Sequence, residues 1–327
     1  MNLELLFWIL LFIIGYVIIY FFADYIIDLL EDLSEVYTIS PVIIGMFILG
    51  VDLEESIVSL IAASNGFPYL SLGNLIGNTI IAVTIAFGLP ALFLKFEFQQ
   101  IPLFYYGLLL IGGISIMISM IVPQYLLLFA LINLVLFVTY VIKSVKVQNK
   151  YREFLSIKES NDQVNAIIAT DDDEGEEDRR LVIIFKVIFS LIVIFIGGET
   201  LVTSAEQLVL FTGLSETFFG LIIMAFVTNV EEFWLIVKSI QKGQAELGIS
   251  AQIGKILWNT TLIFGICGVI IIQFEFKAIM VFSSIICFII LVLLVFNLVR
   301  KNLSTSTGVL YFAIFFLFVS LNIFFLL

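Results

Sequence analysis

Long uncharged stretches, interrupted by short polar breaks, set the pattern of this chain. No charged residue occurs between Val36 and Val51 or between Ser56 and Leu94, and the two stretches are separated by "LGVDLEES", which carries Asp52, Glu54 and Glu55. An apolar run of about 18 or more residues is long enough to cross a hydrocarbon core as a helix. Runs and breaks together predict about ten such spans: 3–27, 38–63, 70–94, 101–121, 125–147, 181–207, 217–239, 247–273, 278–299 and 306–327. Pro102, Pro123 and the turn Glu275 to Lys277 are the main dividers. The first span has neither a basic leader nor a small-residue cleavage site, so a retained helix is expected there rather than a signal peptide.

Composition agrees with a membrane protein. The chain is 61% hydrophobic and only 13% charged, with a mean hydropathy of +1.18, whereas soluble domains are about one quarter charged. The polar segment 148–180 alone holds ten of the 27 acidic residues behind the net charge of −12, so the acidity is concentrated there rather than spread evenly. Nothing in this balance favours nucleic acid as a partner; the lipid bilayer and inorganic cations are the expected ones. Cys267 and Cys287 fall in separate apolar spans, so no disulfide framework is implied.

Basic residues cluster at the same segment: Lys143, Lys146, Lys150, Arg152, Lys158, Arg179, Arg180 and Lys186. Short cytoplasmic loops are enriched in Lys and Arg. The expectation is a cytoplasmic acidic linker over 148–180, both termini outside, and a multi-pass protein of the cell membrane. The linker divides the chain into five-helix halves, 1–147 and 181–327.

The halves repeat one another. A shift of 177 residues lays "GVDLEESIVSLIAASNGFPYLSLGNLIGNTIIAVTIAFG" (50–88) over "VTNVEEFWLIVKSIQKGQAELGISAQIGKILWNTTLIFG" (227–265) without a gap. Glu54/Glu231, Glu55/Glu232, Gly66/Gly243, Gly77/Gly254, Thr84/Thr261 and Gly88/Gly265 coincide. Corresponding spans lie five apart, an odd number, so the copies cross the membrane in opposite directions. The predicted fold class is an all-α membrane protein of about ten helices in two inverted five-helix repeats, with α-repeat 1 near 42–90 and α-repeat 2 near 217–267. Inverted repeats mark secondary transporters, whose ion sites lie at the repeat interface near mid-bilayer. That placement gives a reason for carboxylates that otherwise cost roughly 2.5–3.5 kcal/mol each at a helix centre.

At these residues the chain resembles the calcium/cation antiporter superfamily, which includes sodium/calcium and proton/calcium exchangers. That family carries a G-T-S-L-P-E-like motif in one helix of each repeat and a G-N-x-x-G-S-N-like motif in the next. Here the first repeat reads "GVDLEE" then "GNLIGNT", the second "VTNVEE" then "SAQIGKI", and "SLIAASNG" and "GGETLVTSA" are also similar to the family. The resemblance implies that Glu55 and Glu232 bind the transported cations. It further implies roles for Thr228, which retains the family threonine, for Asp52, Asn229 and Asn78 at serine positions, and for Asn259, one turn beyond the second G-S-N serine. Lys255 stands at that serine and is expected to pair with Asp52 as a modulating charge. Glu54 and Glu231 replace the motif prolines and are assigned to the pore edge or to structure. Asn74 is a candidate polar contact.

Residue chemistry points the same way. Asp52 and Glu55 are three apart and share a helix face. Carboxylate, amide, hydroxyl and freed carbonyl oxygens suit hard cations such as Ca²⁺, which takes about 6–8 of them. The sequence has no His and no Cys cluster, so softer transition-metal sites are poorly supported. The expected function is secondary active antiport of cations, Ca²⁺ with Na⁺ or H⁺, by alternating access, with no cofactor and no enzymatic activity. The alternatives are a cation uniporter or channel-like pathway on the same fold and, more distantly, an intramembrane aspartyl protease built on Asp24 and Asp52.

Overall fold

A computed structural model describes residues 3–37, 39–66, 68–94, 98, 101–163, 173–212, 229–301 and 303–326. The described chain is helical, and seven of its helices are long and apolar enough to span a membrane. In chain order the helices are α1 (Leu3–Val36), α2 (Pro41–Ile44), α3 (Leu53–Ser64), α4 (Pro68–Ile81), α5 (Gly88–Phe93), α6 (Leu103–Ile121), α7 (Leu126–Gln163) and α8 (Asp173–Thr212). They continue as α9 (Val230–Gln241), α10 (Ala245–Leu257), α11 (Phe264–Ile271), α12 (Ala278–Val299) and α13 (Thr305–Leu326). Single π-helical segments, Gly45–Leu49, Ala82–Phe87 and Trp258–Ile263, follow α2, α4 and α10.

Repetition in sequence becomes repetition in geometry. The helices α3 and α9 keep the 177-residue offset at both ends, α4 and α10 keep it at their starts, and the π segments after α4 and α10 fall within one residue of it. Each helical hairpin turns on a glycine with positive φ, 78° at Gly66 and 76° at Gly243. A side chain there would be strained by contact with its own carbonyl, which is why the turn residue survives as Gly in both copies.

Burial sorts the helices into a centre and a rim. The most apolar 18-residue stretch within Ser71–Phe93 is 89% buried inside the protein, against 22% for that within Pro123–Tyr151. Rim helices present Phe21, Val135 and Phe185 outward, where hydrocarbon rather than water is the solvent. Helix α8 packs chiefly along α1, on a core of Ile26, Leu30, Ile183 and Val187. The central core joins Ile76, Ile80, Phe87 and Tyr105 to Ile253, Leu257, Phe264 and Leu291.

The structure departs from the expected organisation in two places. The run 38–63 is not one helix: it breaks at Gly50–Asp52, between the π segment and α3. Broken helices are tolerated at membrane depth where protein or a polar cavity can satisfy the freed backbone groups. The expected linker over 148–180 is helical in its described parts as well, since α7 runs to Gln163 and α8 begins at Asp173. Residues 164–172 lie outside the described residues.

Polar contacts join helix ends and the turns beside them in two separate groups. Lys242 reaches Asp28 Oδ1 at 2.7 Å and Asp24 Oδ1 at 3.2 Å, Lys238 reaches Asp24 at 3.6 Å, and the Ser40 amide donates to Gln148 at 3.0 Å. Burial lowers the Lys242 pKa, but hydrogen bonds and charges from Asp28 and Asp24 more than offset it and hold the ammonium above its ordinary value. In the other group the Tyr69 hydroxyl donates to the Glu275 carbonyl, and the Lys277 ammonium sits 3.5 Å from the Tyr69 ring centroid.

Candidate functional site

The break in the second span creates the site. With α3 starting at Leu53, Asp52 becomes its N-cap: Oδ1 accepts the Glu55 amide at 3.2 Å, satisfying one of the donors that a helix start leaves open. The Ser56 hydroxyl bonds back to the Asp52 carbonyl. Asn229 holds the matching place at the start of α9 and is fully buried.

A close crossing brings the second repeat onto this break. A methyl group added at Gly254 would lie 2.6 Å from the Met46 Cα, and one at Gly50 would lie 2.9 Å from the Gly254 Cα. Only hydrogen at both positions lets backbone meet backbone. The Tyr140 hydroxyl donates to the Met46 carbonyl at 3.3 Å, and its ring stacks on Phe47, so α7 braces the π segment from its other side.

Across that crossing lie the polar side chains of α10 and its π segment. Lys255 is ion-paired with Glu232 Oε1 and lies 3.4 Å from Asp52 Oδ2; the Lys255 and Asp52 side chains are 5% and 7% exposed. Asn259 Nδ2 donates to the same Asp52 oxygen at 2.8 Å, and Trp258 Nε1 donates to Ser56 Oγ at 2.9 Å. Thus one carboxylate caps its own helix with Oδ1, and its Oδ2 accepts a hydrogen bond from Asn259 and is ion-paired with Lys255, both from the opposite repeat. Glu55 is also buried, at 5% exposed. Among the described residues, Asn259 Oδ1 and Glu232 Oε2 are buried without a hydrogen-bond partner.

The expected residues do not all converge. Asp52, Glu232, Lys255 and Asn259 share direct contacts, with Glu55 adjoining. Asn78, the repeat counterpart of Lys255, is 2% exposed, and neither of its side-chain polar atoms has a hydrogen-bond partner among the described residues. Asn74 instead donates to Ser59 at 3.0 Å, between α4 and α3. Glu231 is half-buried. Thr228 and the side chain of Glu54 lie outside the described residues.

The expected Lys255–Asp52 pair is present, but Glu232 is the nearer partner. A lysine offset by 23 residues from a glutamate in the next helix gives no sequence signal of pairing until the hairpin at Gly243 is known. Trp258 and Ser56 were not singled out from sequence; Trp258 stands opposite Ile81 in the repeat, so the internal symmetry hides it. Among the described residues no three His, Cys, Asp or Glu side chains are arranged to hold a metal ion. An ammonium stands between the carboxylates instead. Asp24 and Asp52 are engaged by different lysines, so they form no aspartyl dyad in this arrangement.

Known proteins share both the sequence pattern and the fold. The model of the family described as "Sodium/calcium exchanger protein" matches residues 7–146 and 182–324, one stretch in each half. Inner membrane protein YrbG of Escherichia coli is 23% identical over 265 residues, covering 78% of each chain. The membrane protein MJ0091 of Methanocaldococcus jannaschii is 24% identical over 248 residues, covering 74% of this chain and 75% of that one. The sodium-calcium exchanger NCX_Mj, in a structure soaked with 2.5 mM Na⁺ and 0.1 mM Ca²⁺, superposes with a TM-score of 0.75 at 16% identity, covering 98% of this chain and 99% of its own. A second NCX_Mj structure, soaked with 10 mM Na⁺ and no Ca²⁺, also gives 0.75. With the family match spanning most of its length in two stretches, this chain belongs to the sodium/calcium exchanger family and is a membrane transporter, not an enzyme.

Proposed function

We propose that the protein is a secondary active antiporter that exchanges a hard divalent cation, Ca²⁺ foremost, for Na⁺ or H⁺ at a site between its two repeats. The observation that carries this reading is the joining of Asp52 in the first repeat to Lys255 and Asn259 in the second, beside buried Glu55 and Glu232. A buried polar cluster held jointly by inverted repeats can be exposed to either side as one repeat rocks against the other. In the proposed site Glu55, Glu232 and Asp52 are the anionic ligands. Asn78, Thr228, Asn229 and Asn259 supply neutral oxygens, and the carbonyls freed between Leu49 and Leu53 are further candidates. An all-oxygen set suits Ca²⁺ and the alkali ions rather than thiophilic metals.

The proposed orientation has the 148–180 segment in the cytoplasm and the protein in the cell membrane. Support comes from the Lys and Arg residues clustered around that segment; the contacts of Lys242 with Asp24 and Asp28 and of Ser40 with Gln148 fall at the same end of the bundle by this topology, and that of Lys277 with Tyr69 at the other.

Reconstitution into liposomes tests the function. Uptake of Ca²⁺, Mg²⁺ and Mn²⁺ is measured with imposed Na⁺ or H⁺ gradients. The expected result is Ca²⁺ uptake that requires an oppositely directed Na⁺ or H⁺ gradient. Uptake that ignores the counter-ion and simply follows the Ca²⁺ gradient would instead identify a uniporter.

A further inference from the structure

The cluster contains three carboxylates, Asp52, Glu55 and Glu232, and one ammonium, Lys255, and all four side chains are buried. Lys255 touches two of the carboxylates, one from each repeat, so its charge is held between the two repeats. An ammonium has three donors and no acceptor, so it cannot ligate a metal ion and instead repels a cation placed beside it. We infer that Lys255 is a covalently tethered cation that permanently fills one cation subsite, fixing the exchangeable load at two positive charges. This rests on the antiport reading above and adds its charge stoichiometry.

The count follows from the side chains. Three carboxylates and one ammonium leave a formal charge of −2. One divalent cation neutralises it, and so do two monovalent cations. A neutral loaded site is the form least penalised on passing through a low-dielectric interior, so both half-cycles carry the same total charge and exchange is electroneutral. Asn259 Oδ1 and Glu232 Oε2, buried and without hydrogen-bond partners among the described residues, are oxygens available to that load. Asp52 is the compensating carboxylate: it brings the charge that Lys255 cancels, and the two lie 3.4 Å apart.

The test is the reversal point of Ca²⁺ flux in proteoliposomes whose membrane potential is clamped by K⁺ and valinomycin, with Na⁺ or, where Na⁺ does not drive exchange, H⁺ as counter-ion. For the wild type, the Ca²⁺ gradient at which flux reverses should be independent of potential and should follow the square of the monovalent gradient. Lys255→Ser raises the site charge to −3, and its exchange should move one net charge per cycle. The reversing Ca²⁺ ratio should then shift tenfold for each imposed 59 mV or so. The double variant Asp52→Ser with Lys255→Ser restores −2 and should return to potential-independent reversal, a readout that packing alone would not move. Potential-independent reversal in Lys255→Ser overturns the inference, and Lys255→Gln, which keeps most of the side-chain volume, makes the same test should the serine variant fail to assemble. Potential-dependent reversal in the wild type overturns the inference while leaving antiport intact. Potential-dependent reversal in the double variant also overturns it. Absence of any counter-ion-dependent Ca²⁺ flux overturns the antiport reading and this inference with it.

Discussion

Lys255 and Asp52 lie 203 positions apart in the sequence and 3.4 Å apart in the fold, each buried and each from a different repeat. Their contact, with Glu232 on the other side of the ammonium, makes the repeat interface a charged junction inside the membrane. Desolvating such a pair is costly, and the attraction offsets that cost only while both members are present. Removing one member is therefore worse than removing both.

That asymmetry sets a stability prediction. Lys255→Ser should lower stability by about 3–5 kcal/mol, the usual range for breaking a buried pair, seen as a fall in the apparent melting midpoint of the detergent-purified protein. Asp52→Ser with Lys255→Ser should recover part of the loss, the remainder reflecting Glu232, which stays buried without its partner. A double variant as unstable as the single one would show that packing of the Lys255 stem, not charge pairing, is what the site requires.

A second prediction concerns the crossing. Gly254→Ala places a methyl against Met46 backbone atoms at 2.6 Å, and backbone cannot yield as a side-chain tip does. A loss of about 1–3 kcal/mol or more is expected from overpacking. Transport should fall with it, because the same crossing sets the distance between Asp52 and Lys255. Gly107→Ala, where an added methyl would meet nothing within 4 Å, is the control: it should leave transport unchanged and should not lower the melting midpoint, since Ala is the better helix former.

Orientation can be read by chemistry. A cysteine placed by Ser160→Cys should react with an impermeant thiol reagent only from the cytoplasm, and one placed by Lys277→Cys only from outside. Both native thiols, Cys267 and Cys287, are buried, so background labelling should be low. The reverse pattern would invert the topology.

How much was legible beforehand depended on the kind of signal. Spans were legible because hydrocarbon demands uncharged runs, and the inverted repeat was legible because Glu55/Glu232 and Gly66/Gly243 survive at one offset. The break at Gly50–Asp52 was not: its residues sit in a run apolar enough to read as one helix, and only the crossing with Gly254 and the capping by Asp52 explain why the helix stops. The π segments escaped for a similar reason, since hydropathy cannot tell which hydrogen-bond register a helix adopts. The Lys255–Glu232 pair was hidden by symmetry, because the first repeat has Asn78 at the corresponding place and offers no second lysine to draw attention to it.

Ca²⁺ flux into proteoliposomes under an opposing Na⁺ or H⁺ gradient, compared among wild type, Glu55→Gln and Glu232→Gln, tests the central claim most directly. Wild-type protein should accumulate Ca²⁺ above its equilibrium level only while the counter-ion gradient lasts, and should release it when that gradient is reversed. Either glutamine variant should remain assembled, as judged by gel filtration, and lose most of that flux. Counter-ion-driven flux at wild-type rate and affinity in both variants would contradict a site built from these two glutamates at the repeat interface.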